Sequence, residues 1–418
     1  MIARGSVLGA RAGVLELALP RARLGTIVTI DLGTERTSAT ICALDERGVA
    51  SAAVHGSTVG IAAGAPVWSD PTSQRLPLGI CALGRAIDAR GLPLDDGPPL
   101  QGPLARLEAV PVAPSARVAV SRPLWTGVRA IDAFVTLGAG ARIGIFGAPG
   151  IGKSTLIESI VAGVACDAVV VALIGERGRE AQQWIDQIDS RTCIVCATGD
   201  CSAAERVRAA EVAMAQAERL RARGLDVVLV LDSLARYAGA ARDLAIAAGE
   251  SVGRSGFPPS VVARMAVLLE RCGAVGTGST TLIATVLNDG DDRDPISEAA
   301  RSLLDGHLQL VASLAHAGRY PAIDIQQSIS RTMPQIVTAE HRDAAGVVRR
   351  ALGELARTEE ARSLGIVGEG RSLQAALRVE GRLRTLLEQS GQPSSPSQTL
   401  AGLIAIADTL EEAHEHLD

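Results

Sequence analysis

A chain of 418 residues is long enough for about three domains, and with 47% hydrophobic but only 2% aromatic residues its core is built from Val, Leu, Ile and Ala. A net charge of −5 and a pI near 5.8, with no long basic tract, argue against a protein whose main task is to neutralise nucleic-acid phosphate. The opening MIARGSVLGARAGVLELALP lacks the apolar run and cleavage site of a secretory signal, and no stretch of about 18 to 20 apolar residues is present to span a bilayer. The chain is therefore expected to stay in the cytoplasm, where its seven cysteines, an odd number, remain thiols.

Residues 1–95 alternate short Val/Ile/Leu-rich stretches such as LGTIVTIDLG and TSATICAL with Gly, Asp and Pro, which predicts a small all-β domain, a barrel or a sandwich. Pro- and Gly-rich GLPLDDGPPLQGP, Gly91 to Pro103, marks a linker. From about Leu124 the rhythm becomes apolar strands alternating with helices, the signature of a parallel sheet covered on both faces. The predicted strands are ARIGIF, AVVVALIG, TCIVCAT, DVVLVLD and TTLIATVL. Between two of them AERVRAAEVAMAQAERLRARG forms a helix with Val207, Ala210, Met214 and Ala217 on one face and Gly224 at its end. Cys193, Cys196 and Cys201 are spaced like a metal knuckle, but no second pair follows, so Cys193 and Cys196 are read as core side chains of a strand. After about residue 340 the charged, Leu/Ala-rich sequence is helical, interrupted by the loop SGQPSSPSQ, and His414 and His416 read as a solvated terminus.

Gly147, Ala148, Pro149, Gly150, Ile151, Gly152, Lys153, Ser154 and Thr155 contain the pattern GxxxxGK[ST], with a strand leading in and a helix leading out. The glycines let the backbone turn its N–H groups inward as an anion nest, and the positive end of the helix points at the same phosphates. Lys153 is the only lysine among the 41 basic residues of the chain. Its compact ammonium reaches β- and γ-phosphates inside a tight loop, where a planar guanidinium is too bulky. Ser154 offers a hydroxyl to Mg²⁺, which prefers hard oxygen ligands. Asp232 ends the run VVLVL and, with the loop, reads as a Walker B acid for the same metal; alone it reads equally as a turn cap. Glu176, at the end of AVVVALIG, either polarises an attacking water or is a surface Glu paired with Arg177 or Arg179.

Several blocks in order resemble the hexameric rotary-type ATPases, most closely the ATPase of type III protein secretion systems, the group shared with flagellar export and related to the catalytic subunit of F-type synthases. They include LGRAIDARGLPLD, RPLWTGVRAIDAFVTLGAGARIGIFGAPGIGKSTL, LIGERGRE, LVLDSLARYAGAARDLAIAAGE, NDGDDRDPISEAARSLLDGH and GRYPAIDIQQSISRTM, extending from about Leu83 to Met333. The resemblance implies an N-terminal β-barrel (1–95), a RecA-like α/β P-loop domain with a mostly parallel sheet (96–345) and a C-terminal α-helical domain (346–418), assembled as a homohexamer with ATP and Mg²⁺ between neighbours. It further implies that Glu176 activates water, that Arg177 contacts the phosphate region, that Tyr320 stacks on adenine, and that Arg331 is an arginine finger reaching into the next subunit's site. Implied partners are a central stalk, a peripheral regulator, export substrates and their chaperones, with no nucleic acid and only peripheral contact with the inner membrane.

Glu176 and Arg331 in one chain let a homo-oligomer complete its own sites. The chain departs from the family in starting almost directly in barrel-like sequence, in reading LQLVASLAHAG after LLDGH where a Ser-Arg pair is usual, and in the weakly matching SLGIVGEGRSLQAAL. Two competing readings remain at this level. One is an RNA-translocating ring ATPase of the transcription-termination type, for which Trp68 is the only aromatic in the N-terminal domain. The other is a nucleotide-holding ring subunit without turnover, against which Glu176 speaks.

Overall fold

Near the amino terminus, strands β1 (Arg4–Arg11), β2 (Val14–Ala18), β3 (Ile27–Asp31), β4 (Arg36–Leu44), β5 (Val49–His55) and β6 (Pro66–Ser69) close into a barrel in the order β1-β2-β5-β4-β3-β6. The computed structural model describes residues 3–415 apart from 12, 70–73, 108–111, 254–255, 288–293 and 365–369. Every pairing in the barrel is antiparallel, so closure leaves no free edge. In β2 the period of two sends Leu15 and Leu17 inward while Glu16 faces out, and Val28, Ile30, Ile41 and Val54 complete the interior. Gly5 of β1 has no room for a side chain: a Cβ there would meet the Ala18 carbonyl oxygen at 2.0 Å.

Among the described residues the barrel buries the side chain of His55. His55 is 4% exposed, its Nδ1 2.9 Å from Ser38 Oγ and its Nε2 2.8 Å from Thr40 Oγ1. Burial, then Arg208 and Arg90, push the imidazole down to about 3. The folded ring stays neutral where the unfolded one takes a proton, so stability is full above about pH 6.5 and falls as pH drops, by about 1 kcal/mol per unit. Urea midpoints measured between pH 7 and pH 5 should show this loss, and His55→Gln should remove that part of the slope. Trp68, the only aromatic that the N-terminal domain offers to an RNA-translocating reading, pairs with Arg4 and Thr29 in the barrel wall, and the Arg36 guanidinium lies 5.4 Å over its ring.

Beyond the barrel come strands β7 (Arg85–Asp88), β8 (Arg142–Gly147), β9 (Ala168–Ile174), β10 (Thr192–Ala197), β11 (Asp226–Asp232), β12 (Gly278–Leu287), β13 (Gly306–Leu310) and β14 (Ile323–Ser330). The main helices are α1 (Arg129–Phe134), α2 (Lys153–Gly163), α3 (Gly178–Asp186), α4 (Ala203–Arg221), α5 (Leu234–Ala247) and α6 (Pro259–Leu269), followed by α7 (Ala339–Ser363), α8 (Arg371–Leu387) and α9 (Pro396–Glu415). The chain divides into two compact units.

The first unit, Met1–Arg117, Asp167–Thr285 and Arg293–Ala299, holds the barrel and a parallel sheet in the order β12-β11-β9-β10-β7. Every residue of β9 is buried, as an all-apolar strand covered on both faces requires. β7 lies in the stretch whose composition reads as barrel, yet it pairs with β10 through Arg85 and Cys193. A four-residue strand carries no composition of its own; its hydrogen-bonding partner is decided by packing. Cys193 and Cys196 are core residues of β10, as expected, and burial pushes both thiols up to about 12. Among the described residues no His/Cys/Asp/Glu group of three or more is placed to hold a metal.

Helix α4 opens with a capping box, Ser202 accepting from Glu205 N–H and Glu205 accepting from Ser202 N–H. Val207, Ala210, Met214 and Ala217 are all 5% exposed or less, and Gly224 follows with φ 84°. The helix buries polar residues too: Gln216, fully buried, accepts from Gly79 N–H at 2.6 Å and donates to Gly79 O at 2.9 Å.

The second unit, Val118–Cys166, Val286–Asp292 and Ala300–Asp418, contains β8 parallel to β13, β13 antiparallel to β14, and the three C-terminal helices. Leu373, Ala376, Val379 and Leu383 form the buried stripe of α8, and Leu403, Ile406 and Leu410 that of α9. Part of the tail read as divergent, residues 365–369, lies outside the described residues, as do His416, the side chain of His414 and residues 288–293 of the block NDGDDRDPIS. Among the described residues no helix is long and apolar enough to cross a membrane.

Candidate active site

In the second unit, β8 runs into the turn Gly147–Gly152 and α2 begins at Lys153, the strand-loop-helix order read from the sequence. Gly150 and Gly152 have φ of 79° and 94°, left-handed values that turn successive peptide N–H groups to one side. Ile151 is buried and anchors the loop, whereas Pro149, Gly150, Ser154 and Thr155 are exposed at its mouth. Lys153 Nζ donates to Gly147 O at 2.7 Å and Ala148 O at 2.6 Å, so the ammonium curls over the loop that presents it. The concave backbone, a cation at its centre and a helix N-terminus behind it make a site for a polyanion.

Tyr320 lies beside this loop, half of its surface exposed. A Cβ built on Gly152 would stand 3.5 Å from its Cε1, so the ring packs over the glycine. Gly152, Thr155, Tyr320, Pro321, Gln389 and Pro393 line a slot of about 50 Å³. Its far wall comes from the loop SGQPSSPSQ. Gln389 N–H donates to Tyr320 O at 2.8 Å, its side chain donates to Gly127 O at 2.8 Å, and Arg129 N–H donates to its Oε1 at 2.9 Å. The Arg129 guanidinium in turn donates to the carbonyls of Thr385, Leu386 and Glu388. A largely apolar slot edged by an aromatic ring beside a phosphate loop suits the edge of a nucleobase.

Two carboxyl groups stand at or just beyond strand ends of the first unit. Glu176 follows β9 and is 8% exposed. It forms an ion pair with Arg236, whose Nη1 also donates to Gly175 O at 2.8 Å. Burial, then a hydrogen bond with Glu180, hold the Glu176 carboxyl above its ordinary range against the pull of Arg236. That same hydrogen bond lowers Glu180, so of the two carboxyls Glu176 keeps the proton longer as pH rises. Asp232 ends β11, also 8% exposed, with its Oδ1 accepting from Thr285 Oγ1 at 2.5 Å. A carboxyl held above its ordinary range and oriented by a guanidinium can exchange a proton with water, and a carboxyl fixed at a strand end offers hard oxygen to a cation.

Of the two readings of Glu176, surface pairing with Arg177 or Arg179 is not what the fold builds. Arg177 caps α3 with its side chain 83% exposed and 3.3 Å from Glu180 Oε1. Arg236 and Glu180 were not singled out from the sequence. Arg236 carried a signal, since it stands in the first turn of a helix that starts directly after Asp232. Gln389 carried none, being separated from Tyr320 by a long run of sequence.

Arg331 is exposed just beyond β14, its N–H donating to Asp305 O at 3.0 Å. Ser330 pairs with Gly306, and Gly306 with Ile143 at the start of β8. The phosphate loop begins at the other end of that strand, and Ile143 to Gly147 spans roughly 13 Å at about 3.3 Å per residue. Arg331 therefore stands at the opposite edge of the three strands from its own chain's phosphate loop.

Residues 127–330 match the model of the ATP synthase alpha/beta family, nucleotide-binding domain. The type 3 secretion system ATPase of Sinorhizobium fredii is 40% identical over 416 residues, covering 96% of this chain and 91% of the relative. Among solved structures, the assembled ATPase EscN from the enteropathogenic E. coli type III secretion system superposes with a TM-score of 0.90 at 35% identity, covering 96% of this chain and all of that one. EscN in complex with its central stalk EscO gives a TM-score of 0.87 at the same identity, covering 96% of this chain and 100% of that chain. The barrel, the phosphate loop at the end of β8 and this likeness across almost the whole length lead to one assignment: the chain belongs to the type 3 secretion system ATPases.

Proposed function

We propose that this ATPase works as a homohexameric ring, each site completed by the neighbouring subunit, and that hydrolysis drives unfolding of export substrates and their release from chaperones. In this reading the loop Gly147–Thr155 and Lys153 grip the β- and γ-phosphates, and Tyr320 stacks on adenine. Glu176 takes a proton from the attacking water, Arg236 orients it, and Arg177 contacts the phosphate region. Arg331 reaches the next subunit's nucleotide. Ser154 and Asp232 are hard oxygen donors of the kind Mg²⁺ takes, and the metal supplies neutralisation of charge on the phosphates. A central stalk, a peripheral regulator, cargo and chaperones are the partners, and the ring is peripheral at the inner membrane, facing the cytoplasm.

The observation that carries the proposal is the place of Arg331, exposed and on the far edge of the strands from its own chain's phosphate loop. A finger so placed serves another copy. ATP turnover per chain should therefore rise with protein concentration and saturate as rings form; turnover independent of dilution would overturn the shared site. Tyr320→Ala should weaken binding of a fluorescent ADP analogue by the loss of about 1 to 3 kcal/mol of stacking, with little change in kcat at saturation.

A further inference from the structure

Two helix ends in the second unit cap each other although 260 residues separate them. Helix α1 begins at Arg129, whose N–H is one of those a helix leaves without an internal partner, and it donates to Gln389 Oε1 at 2.9 Å. Helix α8 ends at Leu387, and there the Arg129 guanidinium takes the free carbonyls. Its Nε donates to Leu386 O at 3.1 Å, and its Nη2 to Thr385 O at 3.0 Å and to Glu388 O. The fork of donors reaches three carbonyls at once, and its charge meets the negative end of the helix dipole.

The chain beyond α8 is pinned in the same place. Gln389 Nε2 donates to Gly127 O at 2.8 Å and to Gln392 O at 3.1 Å, and Ser394 N–H donates to Gly127 O at 2.9 Å. Gly127 is itself fixed, since its N–H and that of Thr126 each lie 2.9 Å from the buried carboxyl of Asp132. A Cβ on Gly127 would stand 2.8 Å from Pro393 Cβ, so the proline lies directly on the glycine backbone. Between Leu387 and Pro396 the loop has no helix or strand of its own, and these bonds, with that from Gln389 N–H to Tyr320 O, set its position.

This loop gives Gln389, Gly391 and Pro393 to the slot beside the phosphate loop, whereas Arg129 does not line it. We propose that Arg129 is a positioning residue for the nucleotide: by tying the end of α8 to the start of α1 it holds the loop wall at the separation from Tyr320 that admits the edge of a base. The inference rests on the reading of the slot as the seat of the base. It adds a link between that seat and the C-terminal helices, because a base in the slot touches the segment on which the last turn of α8 is fastened.

ADP and inorganic tripolyphosphate separate the base from the phosphates, and their binding to the full-length chain can be followed by calorimetric titration. Arg129→Ala should weaken ADP by about tenfold, as displacement of a supporting wall does, and leave tripolyphosphate within about twofold of the parent. KM for ATP should rise with little change in kcat, the pattern of a lost contact shared by ground and transition states. Arg129→Lys, which keeps the cation without the planar fork, should fall between the two. In the parent chain, ADP should slow hydrogen exchange across residues 385–394 and tripolyphosphate should not.

Equal weakening of ADP and tripolyphosphate, or no weakening of ADP, overturns the inference, and so does exchange across 385–394 that ADP leaves unchanged. Tyr320→Ala tells its failure from that of the base site. If Tyr320→Ala weakens ADP and Arg129→Ala does not, the slot holds the base without help from Arg129; if neither variant weakens ADP, the base sits elsewhere.

Discussion

Arg331→Ala should leave nucleotide binding nearly unchanged and lower kcat by on the order of 10³ to 10⁵. A guanidinium supplied from outside the phosphate loop stabilises charge that develops only in the transition state, so its loss appears in kcat rather than in affinity. The residue is free to do this for another subunit because it is exposed beyond β14, at the end of the strands remote from its own loop. Mixing decides the matter. Rings assembled from Arg331→Ala and Glu176→Gln chains together contain interfaces with one intact Glu176 and one intact Arg331, and those should recover part of the wild-type rate. If each chain completes its own site, every site in the mixture stays defective and no activity returns.

Glu176→Gln should likewise keep ATP binding and reduce kcat by on the order of 10² to 10⁴, because the amide cannot accept the water's proton. The pH profile is the sharper measurement. A carboxyl held above its ordinary range must lose its proton before it serves as a base, so the acid limb of kcat should lie at higher pH than for a solvated glutamate. Arg236→Ala removes the cation that favours the ionised form and should move that limb to higher pH. Glu180→Gln cannot share the proton as the carboxylate does and should move it to lower pH. A limb that stays in place in both variants would remove Glu176 from the proton transfer.

The phosphate loop, the apolar strands and α4 were legible because each is a local matter. Positive φ at Gly150 and Gly152 is permitted by glycine alone, and a fully apolar run such as Ala168–Ile174 is stable only between two covered faces. The inward face of α4 follows in the same way from helical spacing. The buried side chain of Gln216 on that helix was not legible, since its partner is the backbone of Gly79, brought there by the chain's path.

The site divides along the same line. Contiguous sequence determined the nest, its lone ammonium and the carboxylates at the ends of β9 and β11. Tertiary structure alone chose Arg236 as the partner of Glu176, drew Gln389 and Pro393 across from Tyr320, placed β7 beside β10 and put Arg331 at the edge away from its own loop. The physical reason is range. Backbone conformation and hydrophobic period are set by neighbours along the chain, whereas strand order and contacts between distant segments depend on how the whole chain buries its apolar surface.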